Sequence, residues 1–314
     1  MSEPSPRNGI PGEATSTPEA SLGIPRALIR LMRPVQWTKN LLLFAALVFA
    51  KKLFVGESLA LATLGFASFC LASSSVYVVN DMLDADRDRQ HPEKRHRPIA
   101  AGTVSIGTAV GLAGILTAAA VALSFGIGPT FGITVLIYLG MTHFYSLVGK
   151  TVVILDVMLI AAGFVARAVG GALAIDVPIS DWFIVCTMFL ALFLALSKRK
   201  AELLALDENA GRARPVLERY TTSSLNAFTA TSMAAALISY ALYVLDFHKQ
   251  SQANFAVLWL TVPFVLFAVF RYYLLVETGG FGEKPEEAAL LDRPFQVCVL
   301  GFGVTAVAAL YLGG

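Results

Sequence analysis

Between residues 80 and 102 the chain reads N-D-M-L-D-A-D-R-D-R-Q-H-P-E-K-R-H-R-P-I-A-A-G. Asp81, Asp84, Asp86 and Asp88 stand within one short span, with Arg87, Arg89, Lys94, Arg95 and Arg97 among and after them. On a helix Asp81, Asp84 and Asp88 share a face and Asp86 points away. Carboxylates that converge repel one another unless something neutralises them. A hard divalent cation does so, and Mg²⁺ takes one or two carboxylates together with phosphate oxygens and water. Asn80 adds an uncharged oxygen to the set Asp81, Asp84 and Asp88. Arginine offers a planar fork that matches phosphate oxygens. Arg95 and Arg97, with Lys94, are therefore read as a phosphate clamp, although spacing does not say which of them faces the site. An exposed loop salted with ion pairs would have the same composition and would be worth little. The location argues for more, because apolar segments of membrane length flank the block.

Three further groups carry candidate chemistry. Tyr145, Lys150 and Asp156 lie around a short connection, and Arg167 follows eleven residues after Asp156. Charges inside apolar spans are costly and read by default as functional. Asp156 and Arg167 fall on one helix face, too far apart for a direct pair, and are expected to face one internal cavity from different depths. Ser197-Lys198-Arg199-Lys200-Ala201-Glu202 closes another apolar run. Bases are electrostatically favoured at a helix C-terminus; Lys198 and Arg199 also read as a second anion site, with Glu202 a further metal ligand. Finally, residues 23–40 read as a short interfacial helix bearing Arg26, Arg30 and Arg33, with Trp37 as an aromatic anchor beside Lys39. Simple sorting of positive charge to one side of a membrane would explain most of these bases equally well. Four scattered histidines lack metal-ligand spacing. Three cysteines in apolar runs read as packed thiols.

The elements that must hold these residues are set by composition. Of 314 residues, 56% are hydrophobic and 15% charged, with a mean hydropathy of +0.67. Soluble domains carry about 25% charged residues, so the chain is read as an all-α polytopic membrane protein. Apolar stretches near 37–54, 59–80, 103–126, 129–148, 152–174, 179–197, 223–246, 254–276 and 293–313 are each long enough to cross about 30 Å of hydrocarbon. That makes about nine transmembrane helices around a central polar cavity. Strand alternation typical of a membrane barrel is absent, and helices are the other way to satisfy backbone groups in lipid. Residues 1–22, rich in Ser, Pro, Glu and Gly, read as a disordered tail without an apolar signal core. Residues 23–314 then form one transmembrane domain. With the N-terminus inside, nearly all Lys and Arg fall in inner segments, as the positive-inside rule requires. That orientation puts 80–102 and 198–222 on one cytoplasmic face of the cell membrane. Gly163, Gly170 and Gly171 indicate close helix packing. No nucleic-acid partner is expected, and a homo-oligomer stays open.

Asn80-Asp81-x-x-Asp84-x-x-x-Asp88 followed by Arg97-Pro98 resembles the first aspartate motif of the UbiA superfamily of intramembrane prenyltransferases. Arg33-Pro34-x-Gln36-Trp37-x-Lys39-Asn40, the block Asp88 to Gly102, Gly163-Phe164-x-x-Arg167, Lys198-Arg199-x-Ala201-Glu202-Leu203 and Leu290-x-Asp292-Arg293 are most similar to its polyprenyl-phosphate phosphoribosyltransferases. The resemblance covers roughly residues 25–313. It implies a nine-helix fold and Mg²⁺ at Asp81, Asp84 and Asp88. It further implies phosphoribosyl pyrophosphate as donor, a polyprenyl phosphate in the bilayer as acceptor, and phosphate contacts from Tyr145, Lys150, Arg167, Lys198 and Arg199. One departure bears on the donor. Aromatic prenyltransferases of the superfamily carry a second aspartate-rich motif where this chain has Lys198-Arg199-Lys200 and a single Glu202. Bases there suit a donor with an extra phosphate. The rival expectations are a prenyl transfer to an aromatic acceptor and a non-catalytic transporter or scaffold.

Overall fold

The computed structural model describes residues 23–92, 94–205, 216–251, 255–278 and 291–312, and all regular structure among them is helical. The expected tail at 1–22 lies outside the described residues, as do residues 206–215 and 279–290. In chain order the helices are α1 (Ile24–Met32), α2 (Leu43–Phe49), α3 (Gly56–Leu83), α4 (Ala85–Arg89), α5 (Ile106–Ile127), α6 (Pro129–Leu147), α7 (Leu155–Ala174), α8 (Asp181–Ala205), α9 (Thr222–Ser251), α10 (Phe255–Trp259), α11 (Thr261–Glu277) and α12 (Arg293–Val307). Eight segments among the described residues are long and apolar enough to cross a membrane, one on each of α3, α5, α6, α7, α8, α9, α11 and α12. They match eight of the nine expected spans.

The ninth, near 37–54, takes a different form. Pro34–Leu42 is a nine-residue 3₁₀ helix running into the seven-residue α2. At about 2.0 Å per 3₁₀ residue and about 1.5 Å per α residue the pair is roughly 28 Å long. A tighter winding thus lets sixteen residues cover nearly the thickness that an α-helix covers with twenty. Hydropathy alone does not distinguish the two. The expected interfacial helix over 23–40 is likewise cut short. α1 stops at Met32, and Arg33 adopts a left-handed conformation (φ 51°, ψ 63°) that turns the chain into the 3₁₀ segment.

Packing follows small residues and aromatics. Ala27 and Leu31 of α1 are buried in one cluster with Val78 of α3 and Ala109 of α5, and α1 packs on α3. Phe69, Phe131 and Tyr138 form the core between α3 and α6. α7 comes close to α2 because Gly171 lacks a side chain: a Cβ there would meet the Leu43 carbonyl oxygen at 2.2 Å. Exposed Val297, Leu300 and Val304 on α12 and Ile133 and Ile137 on α6 give the outer surface the apolar character that lipid requires. α3 has 28 residues, roughly 42 Å at helical rise. It outruns the hydrocarbon, so Asn80 and Asp81 in its last turn can sit at the polar boundary.

Candidate functional site

The aspartates stand where α3 gives way to α4. Asp84 (φ −95°, ψ 2°) interrupts the helix, but its amide still donates to the Asn80 carbonyl (2.9 Å) and the Asp88 amide donates to the Asp84 carbonyl (2.8 Å). The helical course is kept well enough for the expected facing to hold. Asp81 and Asp88 are buried, Asp84 is half-buried, and Asp86 is 94% exposed in a surface pair with Arg89.

Each inward aspartate has a base. Arg33 Nη2 donates to Asp81 Oδ1 at 2.5 Å. Arg97 Nη1 donates to the same oxygen at 3.2 Å and to Asp88 Oδ2 at 2.7 Å. Lys150 Nζ donates to Asp84 Oδ1 at 3.0 Å and Oδ2 at 3.3 Å. Of the three bases that precede Pro98, Arg97 is the one shown on the aspartates. Arg95 is exposed, with its Nε on His96. Lys39 and Lys198 are half-buried. Arg33 was read as a membrane-surface residue of an interfacial helix and proves to be a partner of the first aspartate, 48 residues away in sequence. Its left-handed backbone, rare for a non-glycine residue, turns it off the line of Arg26 and Arg30, which remain exposed. Trp37, read as an interfacial anchor, instead donates from Nε1 to Ser74 Oγ at 3.0 Å.

A second polar cluster lies beside the first, linked to it through the α6–α7 connection that carries Lys150. Arg199 Nε donates to Asp156 Oδ2 (2.8 Å) and its Nη1 donates to Glu202 Oε2 (2.6 Å). The Tyr220 hydroxyl donates to Asp156 Oδ1 (2.9 Å) and accepts from the Ile154 amide (2.8 Å). That amide contact supports a strained position, since Ile154 is β-branched with φ 70°. Tyr145 lies near Arg199. Burial pushes the Tyr220 phenol up to about 12 from an ordinary 10, and the Asp156 carboxylate that its proton bonds adds to the rise. Lys200, next to Arg199, pairs with Glu277 and lies 5.1 Å over the Tyr273 ring, which ties α8 to α11.

Asp156 and Arg167 do not share one network. Arg167 is buried and bonded within the protein: Nε to Asn40 Oδ1 (2.7 Å), Nη1 to the Gly163 carbonyl (2.8 Å) and Nη2 to the Tyr138 hydroxyl (2.8 Å). Asn40 also donates to Cys70 Sγ and Ser73 Oγ. Arg167 therefore fastens the 3₁₀ segment to α6 and α7, a role that no local sequence pattern announces.

The donor set can be weighed against a divalent cation. Among the described residues no three His, Cys, Asp or Glu side chains converge closely enough to hold a metal by themselves. Instead, bases lie on the acids: Arg97 bridges Asp81 and Asp88, and Lys150 holds Asp84. The available ligands are all oxygens, and Asn80 Oδ1 is a buried acceptor with no hydrogen-bond partner, although buried polar atoms almost always have one. Such a set fits a hard cation that completes its shell with substrate oxygens and water. A cavity of about 700 Å³ opens at the other end of the bundle, among Phe49, Lys51, Asp181, Phe183, Tyr243 and Asp246. Its one base and two carboxylates do not suit a diphosphate.

A family model described as the UbiA prenyltransferase family matches residues 41–279. A decaprenyl-phosphate phosphoribosyltransferase of Mycolicibacterium smegmatis is 35% identical over 95% of this chain and 97% of its own. One of Corynebacterium glutamicum is 35% identical over 91% and 87% respectively. Among solved structures, a UbiA homolog from Archaeoglobus fulgidus bound to GPP and Mg²⁺ has a TM-score of 0.68 at 22% identity, covering 90% of this chain and 99% of that one. At that identity the likeness speaks for the fold.

Proposed function

This chain belongs to the UbiA prenyltransferase family and is an integral membrane protein, and from that premise we propose that it transfers 5-phosphoribose from phosphoribosyl pyrophosphate to a polyprenyl phosphate. The observation that carries the reading is the end-to-end match, at 35% identity, to decaprenyl-phosphate phosphoribosyltransferase. The bases on the aspartates, and the half-buried Lys198 at the end of α8, support it, because the donor brings a 5-phosphate in addition to its diphosphate.

In this reaction the bond from ribose C1 to the diphosphate oxygen breaks and a bond from C1 to an oxygen of the lipid phosphate forms. The diphosphate leaves with the electron pair. Attack comes from the face opposite the leaving group, at a carbon with oxocarbenium character. No protein nucleophile is needed, so the side chains act by position and charge. A bound Mg²⁺, held through Asp81, Asp84 and Asp88 with Asn80 as a further oxygen, supplies Lewis-acid stabilisation of the leaving diphosphate. Arg33, Arg97 and Lys150 lie on these carboxylates and are poised to take phosphate oxygens. Lys39, Arg95, Tyr145 and Lys198 are the remaining candidates for donor and lipid-phosphate contacts. Arg199, Glu202 and Asp156 brace the wall behind them. Excess Lys and Arg at this end supports a site on the cytoplasmic face of the plasma membrane, with the lipid tail among the helices.

The test is transfer by the purified protein in detergent with Mg²⁺. Label from phosphoribosyl pyrophosphate should enter a lipid fraction only when polyprenyl phosphate is present. Label passing instead from a prenyl diphosphate to an aromatic acceptor would replace the reading.

A further inference from the structure

The first cluster is neutral as it stands. Asp81, Asp84 and Asp88 supply three negative charges, and Arg33, Arg97 and Lys150 supply three positive ones. A divalent cation reaching these carboxylates on its own must displace a base. The displaced base is then left without an anion beside two new positive charges. When a diphosphate arrives with the cation, the balance reverses: carboxylates pass to the metal, and bases pass to phosphate oxygens, to which guanidinium is well matched.

Arg33 is best placed to make that exchange. Asp81 is the one carboxylate recorded for it among the described residues. Arg97, by contrast, can release Asp81 at 3.2 Å and still hold Asp88 at 2.7 Å. Asp81 is buried whereas Arg33 is half-buried, so the guanidinium can move without exposing the acid. The Tyr77 ring, 4.9 Å from the Arg33 guanidinium carbon, favours a cation over its face throughout such a movement. Asn80 Oδ1, buried and unpartnered one residue before Asp81, marks a position where an additional cation has an acceptor ready.

We infer that Arg33 is a positioning residue that makes metal binding conditional on the anionic donor: it holds Asp81 while the site is free of donor and yields it only when a diphosphate takes the guanidinium. The inference rests on the reading of the site as one for a diphosphate donor with a divalent metal. It predicts the sign of an effect that a structural strut would not give, since removing a favourable contact strengthens metal binding.

Equilibrium dialysis of Mn²⁺ against the full-length protein in detergent, with and without inorganic pyrophosphate, reads this directly. In the wild type, pyrophosphate tightens Mn²⁺ binding on the order of tenfold, the usual scale of coupling between two ligands. Arg33→Gln binds Mn²⁺ on the order of tenfold more tightly without pyrophosphate, and the gain from pyrophosphate shrinks. Arg33→Lys, which keeps the charge, stays near wild type. So does Arg89→Gln, which removes a base of the same region that pairs with the exposed Asp86. Unchanged or weaker Mn²⁺ binding by Arg33→Gln overturns the inference. Absence of a pyrophosphate gain in the wild type overturns it without any variant. If phosphoribosyl transfer fails while these dialysis results hold, the substrate reading falls and the exchange at Arg33 stands.

Discussion

The two polar clusters use the same chemistry at different depths. In the first, the bases are accessible: Arg33 is 29% exposed, Arg97 28% and Lys150 25%. In the second, Arg199 is 2% exposed and Asp156 is sealed. An ion pair within reach of water can trade one partner for another at small cost, because solvent screens the intermediate state. A sealed pair cannot, because each charge taken alone in a low dielectric is expensive. The first cluster is therefore equipped to bind and release anions and a metal. The second holds the ends of α7 and α8 together through Asp156, Arg199, Glu202 and Tyr220, and so fixes the α6–α7 connection from which Lys150 reaches Asp84. Under the proposed function, the chemistry falls to the looser cluster and the positioning to the tighter one.

The hardest test of that division is Asp156→Ala. It removes one partner of a buried pair and leaves Arg199 under-compensated, at a cost of about 3–5 kcal/mol. Thermal unfolding in detergent should show a large loss of stability or no folded protein. Asp84→Asn should do the opposite: thermal unfolding close to wild type, with kcat for phosphoribosyl transfer down roughly 10²–10³-fold, the scale seen when one electrostatic contact to a leaving group is lost. If Asp84→Asn destabilised the protein as much as Asp156→Ala, the distinction between an exchangeable and a structural cluster would be lost.

Reading the sequence reached one half of this contrast more easily than the other. Periodicity put Asp81, Asp84 and Asp88 on one face and turned Asp86 outward, and the structure agrees because the helix hardly breaks at Asp84. The spans were visible as uninterrupted apolar runs. The partners were not. Arg33 meets Asp81 across 48 residues and Arg199 meets Asp156 across 43, and hydropathy does not record which helices adjoin. The 3₁₀ winding of Pro34–Leu42 was hidden for another reason. Its composition is compatible with an α-helix, and its geometry is held by tertiary contacts, among them the bond from Arg167 to Asn40. Arg167 was legible as a buried charge that needed a role, but its partners were identifiable only once α6, α7 and the 3₁₀ segment had been brought together.

A smaller effect separates the two clusters by pH. Tyr220→Phe removes the proton donated to Asp156 and the oxygen that accepts from the Ile154 amide, which costs about 1–3 kcal/mol when such groups are left unpaired. The phenol is raised from 10 to about 12, so the stability it contributes is fully present below pH 10 and is lost as pH rises through about 12. A melting temperature followed against pH should fall over that window in the wild type and fall less in Tyr220→Phe.

The smallest expected effect calibrates the rest. Arg89 and Asp86 form an ion pair whose side chains are 52% and 94% exposed, in the same acid-and-base block as the site. Were charge density in this block enough for function, Arg89→Gln would lower transfer as Lys150→Gln does. Exposed pairs contribute little because water competes for both partners and salt screens what remains. Arg89→Gln should leave melting temperature, Mn²⁺ binding and transfer rate unchanged within error. Lys150→Gln should weaken transfer while leaving the fold intact. Equal losses in the two variants would mean that the summed charge of the loop, rather than the placement of Arg33, Arg97 and Lys150 on three aspartates, governs the donor. The arrangement of those three pairs, each drawing its base from a different part of the chain, argues for placement.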